Sequence, residues 1–179
     1  MGADADENVR AVRRLIRQEI DVLSAGPGQR RLEVTMKREL FKLASQADLV
    51  LDLHCDHDAV LHTYTHDRLW PALSDLSIEL GSRVNLLSPD SGGNCFDEAC
   101  SCPWAALADA FPGVPLPMAC QSATVELRGE SDVSDELALQ DAHGLFRMLE
   151  KRGYVTSTST TTKDDSSSGS RSESSSSSR

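Results

Sequence analysis

Long apolar runs are missing from this sequence. None of its 179 residues falls in a stretch of 18 or more apolar side chains, so no segment reads as a membrane span. The opening MGADADENVR has no apolar core of the kind a secretory signal needs. Asp6 also stands where a myristoylation signal beginning at Gly2 takes Ser or Thr. Positive charge is scarce as well: 18 Lys and Arg face 28 Asp and Glu, a formal charge of −10. Binding to nucleic acid needs a concentrated positive surface, so that class of partner is excluded. Disulfide chemistry has little support, because five cysteines is an odd number and no export signal accompanies them. Free thiols in a reducing, cytoplasmic setting are the expectation.

The acidity is unevenly placed. Residues 1–48 carry nine basic and eight acidic side chains, whereas residues 49–155 carry six and seventeen, a local net of −11. From Thr156 onward, 17 of the last 24 residues are Ser or Thr. Such a composition buries too little apolar surface to offset its ordering entropy, so residues 156–179 read as a disordered tail. An N-terminal helix and linker are expected over 1–31, and the main folded domain over 32–155.

Within those bounds the periodicity alternates. Val9, Val12, Ile16, Ile20 and Leu23 recur at helical spacing over 8–23, and SAGPGQ then breaks the pattern. A second helix over about 32–47 presents Leu32, Met36, Leu40 and Leu43 as one stripe. DLVLDLHC is short and mostly apolar, as a buried strand is. A helix over 67–81 follows, with Asp67 placed to cap it, Pro71 in its first turns and Gly81 at its end. RVNLLS and ATVEL read as further strands. FDEACSCPWAALADAF reads as a helix interrupted by Pro103. The last helix spans about 134–152, with Ser131 or Asp132 as cap and Gly153 as stop. This alternation predicts an α/β fold, a mainly parallel sheet flanked by helices.

Chemistry concentrates at the end of the first strand, Leu49-Val-Leu-Asp-Leu-His-Cys-Asp56. Asp52 and His54 are two residues apart and share one face of a strand. A carboxylate beside a histidine fixes its tautomer and leaves the other nitrogen for a metal, or the pair is a plain strand-end hydrogen bond. In Thr124-Val-Glu-Leu-Arg-Gly129, Glu126 alternates with apolar residues, which is costly unless the carboxylate is solvated, paired or used. An ion pair with Arg128, two residues on, competes with a role as catalytic base. Asp90-Ser-Gly-Gly-Asn94 is either a plain turn or a source of backbone N–H donors for a substrate. Cys95, Cys100 and Cys102 fit buried free thiols better than any zinc-ribbon spacing.

Taken together, DLHCD, HTYT at 62–65, LWPALSDL, DSGGNCFDEA at 90–99 and ATVELRG at 123–129 resemble the succinylglutamate desuccinylase/aspartoacylase family. The resemblance extends from about Leu32 to Gly153. It implies a zinc-carboxypeptidase-like fold and zinc-dependent hydrolysis of an amide or ester bond in a small N-acyl amino acid-like substrate. On the matching positions, His54 is a zinc ligand, Asp52 orients it, and Glu126 is the general base. No position is carried over for substrate binding.

The family's other two zinc ligands come from an upstream His-x-x-Glu motif, and this sequence has none. Its histidines are His54, His57, His62, His66 and His143, and none has Glu three residues later. The resemblance therefore implies a domain short of its N-terminal part: a fragment or misjoined gene, a natural truncated relative without catalysis, or a site rebuilt from substitute ligands. Cys55, His57, His62 and His66 are the nearest substitutes, although surface or structural roles suit those histidines better. The alternative function is a non-catalytic binding or regulatory protein. A truncated sheet leaves an open edge, which makes a homo-oligomer the one macromolecular partner worth expecting.

Overall fold

The computed structural model describes residues 2–25, 31–93 and 95–156. The Ser/Thr-rich segment expected to be disordered lies outside the described residues from position 157 onward. In chain order the elements are α1 (Ala5–Ala25), α2 (Leu32–Ala44), β1 (Leu49–Asp56) and β2 (His62–Thr65). A single 3-10 turn (Asp67–Leu69) then leads into α3 (Trp70–Leu80), β3 (Val84–Leu87), α4 (Phe96–Ala110), β4 (Gln121–Gly129) and α5 (Asp135–Lys151).

The four strands form one sheet in the order β1-β4-β2-β3. β1 pairs with β4, and β2 with β3, in parallel, while β2 and β4 meet antiparallel. The sheet is thus mainly parallel by pairing, as expected, with one reversal at its centre. α3 and α5 cover one face, where Leu69, Leu73, Leu76, Val125 and Met148 are each at most 1% exposed. The opposite face is covered by α4, with Trp104 and Cys120 packed against Val12 of α1 and Ala44 of α2. A sheet with apolar layers on both sides is the α/β solution for burying two faces at once.

Local chemistry sets several boundaries. Gly81 closes α3 at φ 70°, a left-handed value that costs glycine little. Ser134, not Ser131 or Asp132, caps α5, its hydroxyl accepting from the Leu137 N–H at 3.2 Å. His66 rather than Asp67 alone opens the turn before α3. Its Nδ1 accepts from the Arg68 N–H at 3.1 Å, and the ring is only 4% exposed. α4 runs unbroken through Pro103, against expectation, because Cys100, Ser101, Trp104 and Ala105 anchor that stretch in the core. Packing outweighs the lost backbone hydrogen bond.

The stripe predicted on α2 is present but faces outward. Leu32, Met36, Leu40 and Leu43 are 85, 56, 50 and 73% exposed. β1 and β3 are the edge strands. Among the described residues, nothing covers the α2 stripe or pairs with the outer edge of β1.

Candidate active site

Strand register assembles the site. On β1 and β4, Asp52 lies opposite Thr124 and His54 opposite Glu126. Across β4, Tyr64 and His62 of β2 lie opposite the same two residues. Two rows therefore cross three strands, Asp52–Thr124–Tyr64 and His54–Glu126–His62. Side chains directly opposite one another share a face. Here it is the face under α4, whose N-terminal approach adds Ser91, Cys95 and Phe96. Five of the strand residues, Asp52, His54, Tyr64, Thr124 and Glu126, join those three in lining a cavity of about 390 Å³.

His54 Nε2 lies 3.0 Å from Asp52 Oδ2, so the expected pair is formed and Nδ1 is the ring nitrogen left over. The His54 side chain is half exposed, at 51%. Glu126 is half-buried, and its Oε2 is buried with no hydrogen-bond partner among the described residues. An unpaired buried acceptor forgoes its hydration, at about 1–3 kcal/mol. Native structures keep few such atoms without a catalytic or structural reason.

The ion pair that competed for Glu126 does not form. β4 carries one extra residue opposite β1 between Glu126 and Gly129, and Arg128 sits there with φ 92°. This bulge sends the Arg128 side chain to the α5 face. There Nη1 and Nη2 donate to Asp141 Oδ2 and Oδ1 at 2.7 and 2.9 Å. The hydrogen bonds to Asp141, helped by its negative charge, raise the already high Arg128 pKa further, against the lowering effect of burial.

Asp97, in the first turn of α4, supports the cavity from beneath. It is 3% exposed, and its carboxyl is pushed up chiefly by burial, partly offset by a hydrogen bond from the Thr124 hydroxyl. Its backbone carbonyl accepts from Ser122 Oγ at 2.7 Å and Ser101 Oγ at 2.9 Å. For an acid, a raised folded-state value adds stability below the ordinary carboxylate range and withdraws it as pH rises through the folded value. Asp97→Asn should therefore stabilise the fold at pH 7, and the gain should fade on acidification. Urea unfolding at pH 7 and pH 4 measures it; a gain that grows at pH 4 contradicts the assignment.

Of the remaining candidates, Cys55, His57 and His143 do not line this cavity. His62 was one of the nearest substitute ligands, with a surface or structural role the better expectation. It is 7% exposed, donates from Nδ1 to the Val60 carbonyl at 2.8 Å, and stands edge-on to Tyr64 with ring centres 5.2 Å apart. HTYT alone did not show that β2 would pair with β4. His57 is exposed and bonds Glu130 at 2.9 Å, and His143 is exposed on α5. Cys55 and Cys95 are exposed, Cys100 and Cys120 are buried, and all are free thiols. The loop at 90–93 spends its amides internally: Ser91 N–H donates to Glu98 at 2.6 Å and Gly92 N–H to Asp90 at 2.7 Å.

A catalytic zinc normally takes three protein donors. Among the described residues, no group of three or more His, Cys, Asp or Glu side chains is placed to share one ion. His54 is present with its carboxylate partner, but the donor set among the described residues does not fit a complete zinc site. No helix of the described residues is long and apolar enough to cross a membrane.

The sequence matches no protein-family model and no curated protein. The fold does match solved structures. One is a protein assigned to the succinylglutamate desuccinylase/aspartoacylase family from Shewanella amazonensis SB2B, 26% identical, with a TM-score of 0.72 over 84% of this chain and 40% of that one. Another, so assigned from Shewanella frigidimarina NCIMB 400, is 23% identical, with a TM-score of 0.73 over 86% of this chain and 41% of that one. The chain spans about two fifths of the length of each. Over most of its own length the chain therefore shares the fold of these structures of the succinylglutamate desuccinylase/aspartoacylase family.

Proposed function

We propose that this chain carries the base side of a hydrolytic site that cleaves an amide or ester bond in a small N-acyl amino acid-like substrate. One observation supports this above the rest: Glu126 stands opposite His54 in a cavity, half-buried, with Oε2 unpaired and the nearby guanidinium turned away. A carboxylate in that position is available to take a proton from an attacking water. As the carbonyl carbon becomes tetrahedral, the same carboxyl returns the proton to the departing amine, so one group serves as base and then acid. Asp52 holds the His54 ring by its Nε2. In the family, zinc supplies the charge that the carbonyl oxygen needs. Were zinc bound here, His54 would be one donor to it.

The lack of a three-donor group among the described residues gives a second reading its support: a non-catalytic relative that binds a small molecule in the same cavity. Release of free amine from a panel of N-acyl amino acids, with zinc supplied, separates the two. The hydrolase reading expects amine release by the purified protein. Saturable binding of those compounds without release, in the presence of zinc, would overturn it in favour of the binding protein.

A further inference from the structure

Plain alternation along β4 would place Arg128 on the same face as Glu126, two residues away and within reach of its carboxylate. The bulge prevents this. His54 pairs with Glu126 but Asp56 pairs with Gly129, so two steps on β1 match three on β4. The inserted residue adopts φ 92°, and Arg128 is the one non-glycine residue with positive φ among the described residues. A side chain with a Cβ is strained there, so surrounding structure must hold it. What holds it is α5. Asp141, 7% exposed, takes both terminal nitrogens of Arg128 in a forked pair, and Nη1 also donates to the Leu127 carbonyl at 3.3 Å. Such bidentate pairing fixes direction as well as distance. Nearby, Asp132 accepts from the Gly129 N–H at 3.1 Å and secures the residue that follows the bulge.

Strained backbone, a buried forked ion pair and an unpartnered carboxylate two residues upstream are thus parts of one arrangement. We infer that Asp141 is a positioning residue: by clamping Arg128 across the bulge, it keeps the guanidinium off Glu126 and leaves that carboxylate unpaired. The inference rests on the reading of Glu126 as the base for its significance, and its test does not depend on hydrolysis.

The test is labelling of Glu126 by a water-soluble carbodiimide and a primary amine, read by mass spectrometry of the Glu126 peptide. In Asp141→Asn the clamp is weakened, the backbone relaxes, and Arg128 pairs with Glu126. Labelling should drop by about tenfold, equivalent to ~1.4 kcal/mol of new pairing. Adding Arg128→Gly should restore labelling to the wild-type rate, since glycine accepts the positive φ and brings no guanidinium. A merely structural Asp141 would loosen the site and raise labelling in both variants. Wild-type or faster labelling in Asp141→Asn, or continued protection in the double variant, overturns the inference.

Should Asp141→Asn fail to fold, Glu126→Gln in the otherwise wild-type chain decides. Its Tm should stay within about 2 °C, because Glu126 has no ion pair to lose. A fall of more than about 5 °C would show Arg128 paired with Glu126 in solution, contrary to the inference. If labelling behaves as expected while no amine is ever released, the clamp stands and the hydrolase reading falls.

Discussion

Glu126→Gln is expected to lower hydrolytic turnover by about 10²–10⁴-fold while leaving the fold intact. The glutamine amide is nearly the same size as the carboxylate but cannot accept a proton at neutral pH. Every step that moves a proton between water and leaving amine therefore loses its carrier. Substrate binding should change little, so the loss should appear in kcat more than in KM. Not every carboxylate suits this test. The ion-paired Asp75 and Asp141 would lose partners on substitution, confounding activity with stability. Glu126 Oε2 has no hydrogen-bond partner to lose among the described residues. Turnover is read by amine release, and circular dichroism confirms the fold. A variant with wild-type turnover would remove Glu126 from the reaction and leave its buried oxygen in need of another reason.

Much of this site was legible in the residues, for definable reasons. Asp52 and His54 share a face because strands alternate with period two, a rule that needs no tertiary information. Their pairing at 3.0 Å follows directly. The same rule failed three residues into VELRG, since Arg128 obeys it only on an unbulged strand. A bulge is set by the register between two strands, and β1 and β4 are some seventy residues apart in sequence (Asp52 opposite Thr124). The place of His62 was not legible for a related reason. Its neighbour in space is Glu126, reached through the antiparallel pairing of β2 with β4, and HTYT encodes extension but not partner. The α2 stripe makes the opposite point. Its period was readable, yet periodicity tells only that Leu32, Met36, Leu40 and Leu43 align, not whether anything lies over them.

Trp104→Ala should be the most destabilising single truncation in the chain, costing about 3–5 kcal/mol. Trp104 is 1% exposed and is the largest of the fully buried side chains. It packs in the cluster that joins α1, α2 and α4, with Val12, Ala44, Cys100, Leu116 and Cys120 around it. Removing the indole leaves a void that these neighbours, drawn from separate elements, cannot all collapse into. For a domain whose total stability is of order 5–15 kcal/mol, the loss is a large fraction. The consequence reaches the site, because the same helix begins with Phe96, which lines the cavity, and Asp97, which bonds Thr124 from beneath. A partly loosened α4 would leave Thr124 without its buried acceptor and widen the wall beside Glu126. Urea unfolding should therefore show a lower midpoint with little change in slope, and carbodiimide labelling of Glu126 should rise. Trp104→Phe, which keeps an aromatic ring in the same place, should recover a substantial part of both. By contrast Leu86→Ala, on edge strand β3 and 41% exposed, should cost far less. Equal losses at Trp104 and Leu86 would show that the α4 face does not form the cluster, and with it the support beneath the cavity.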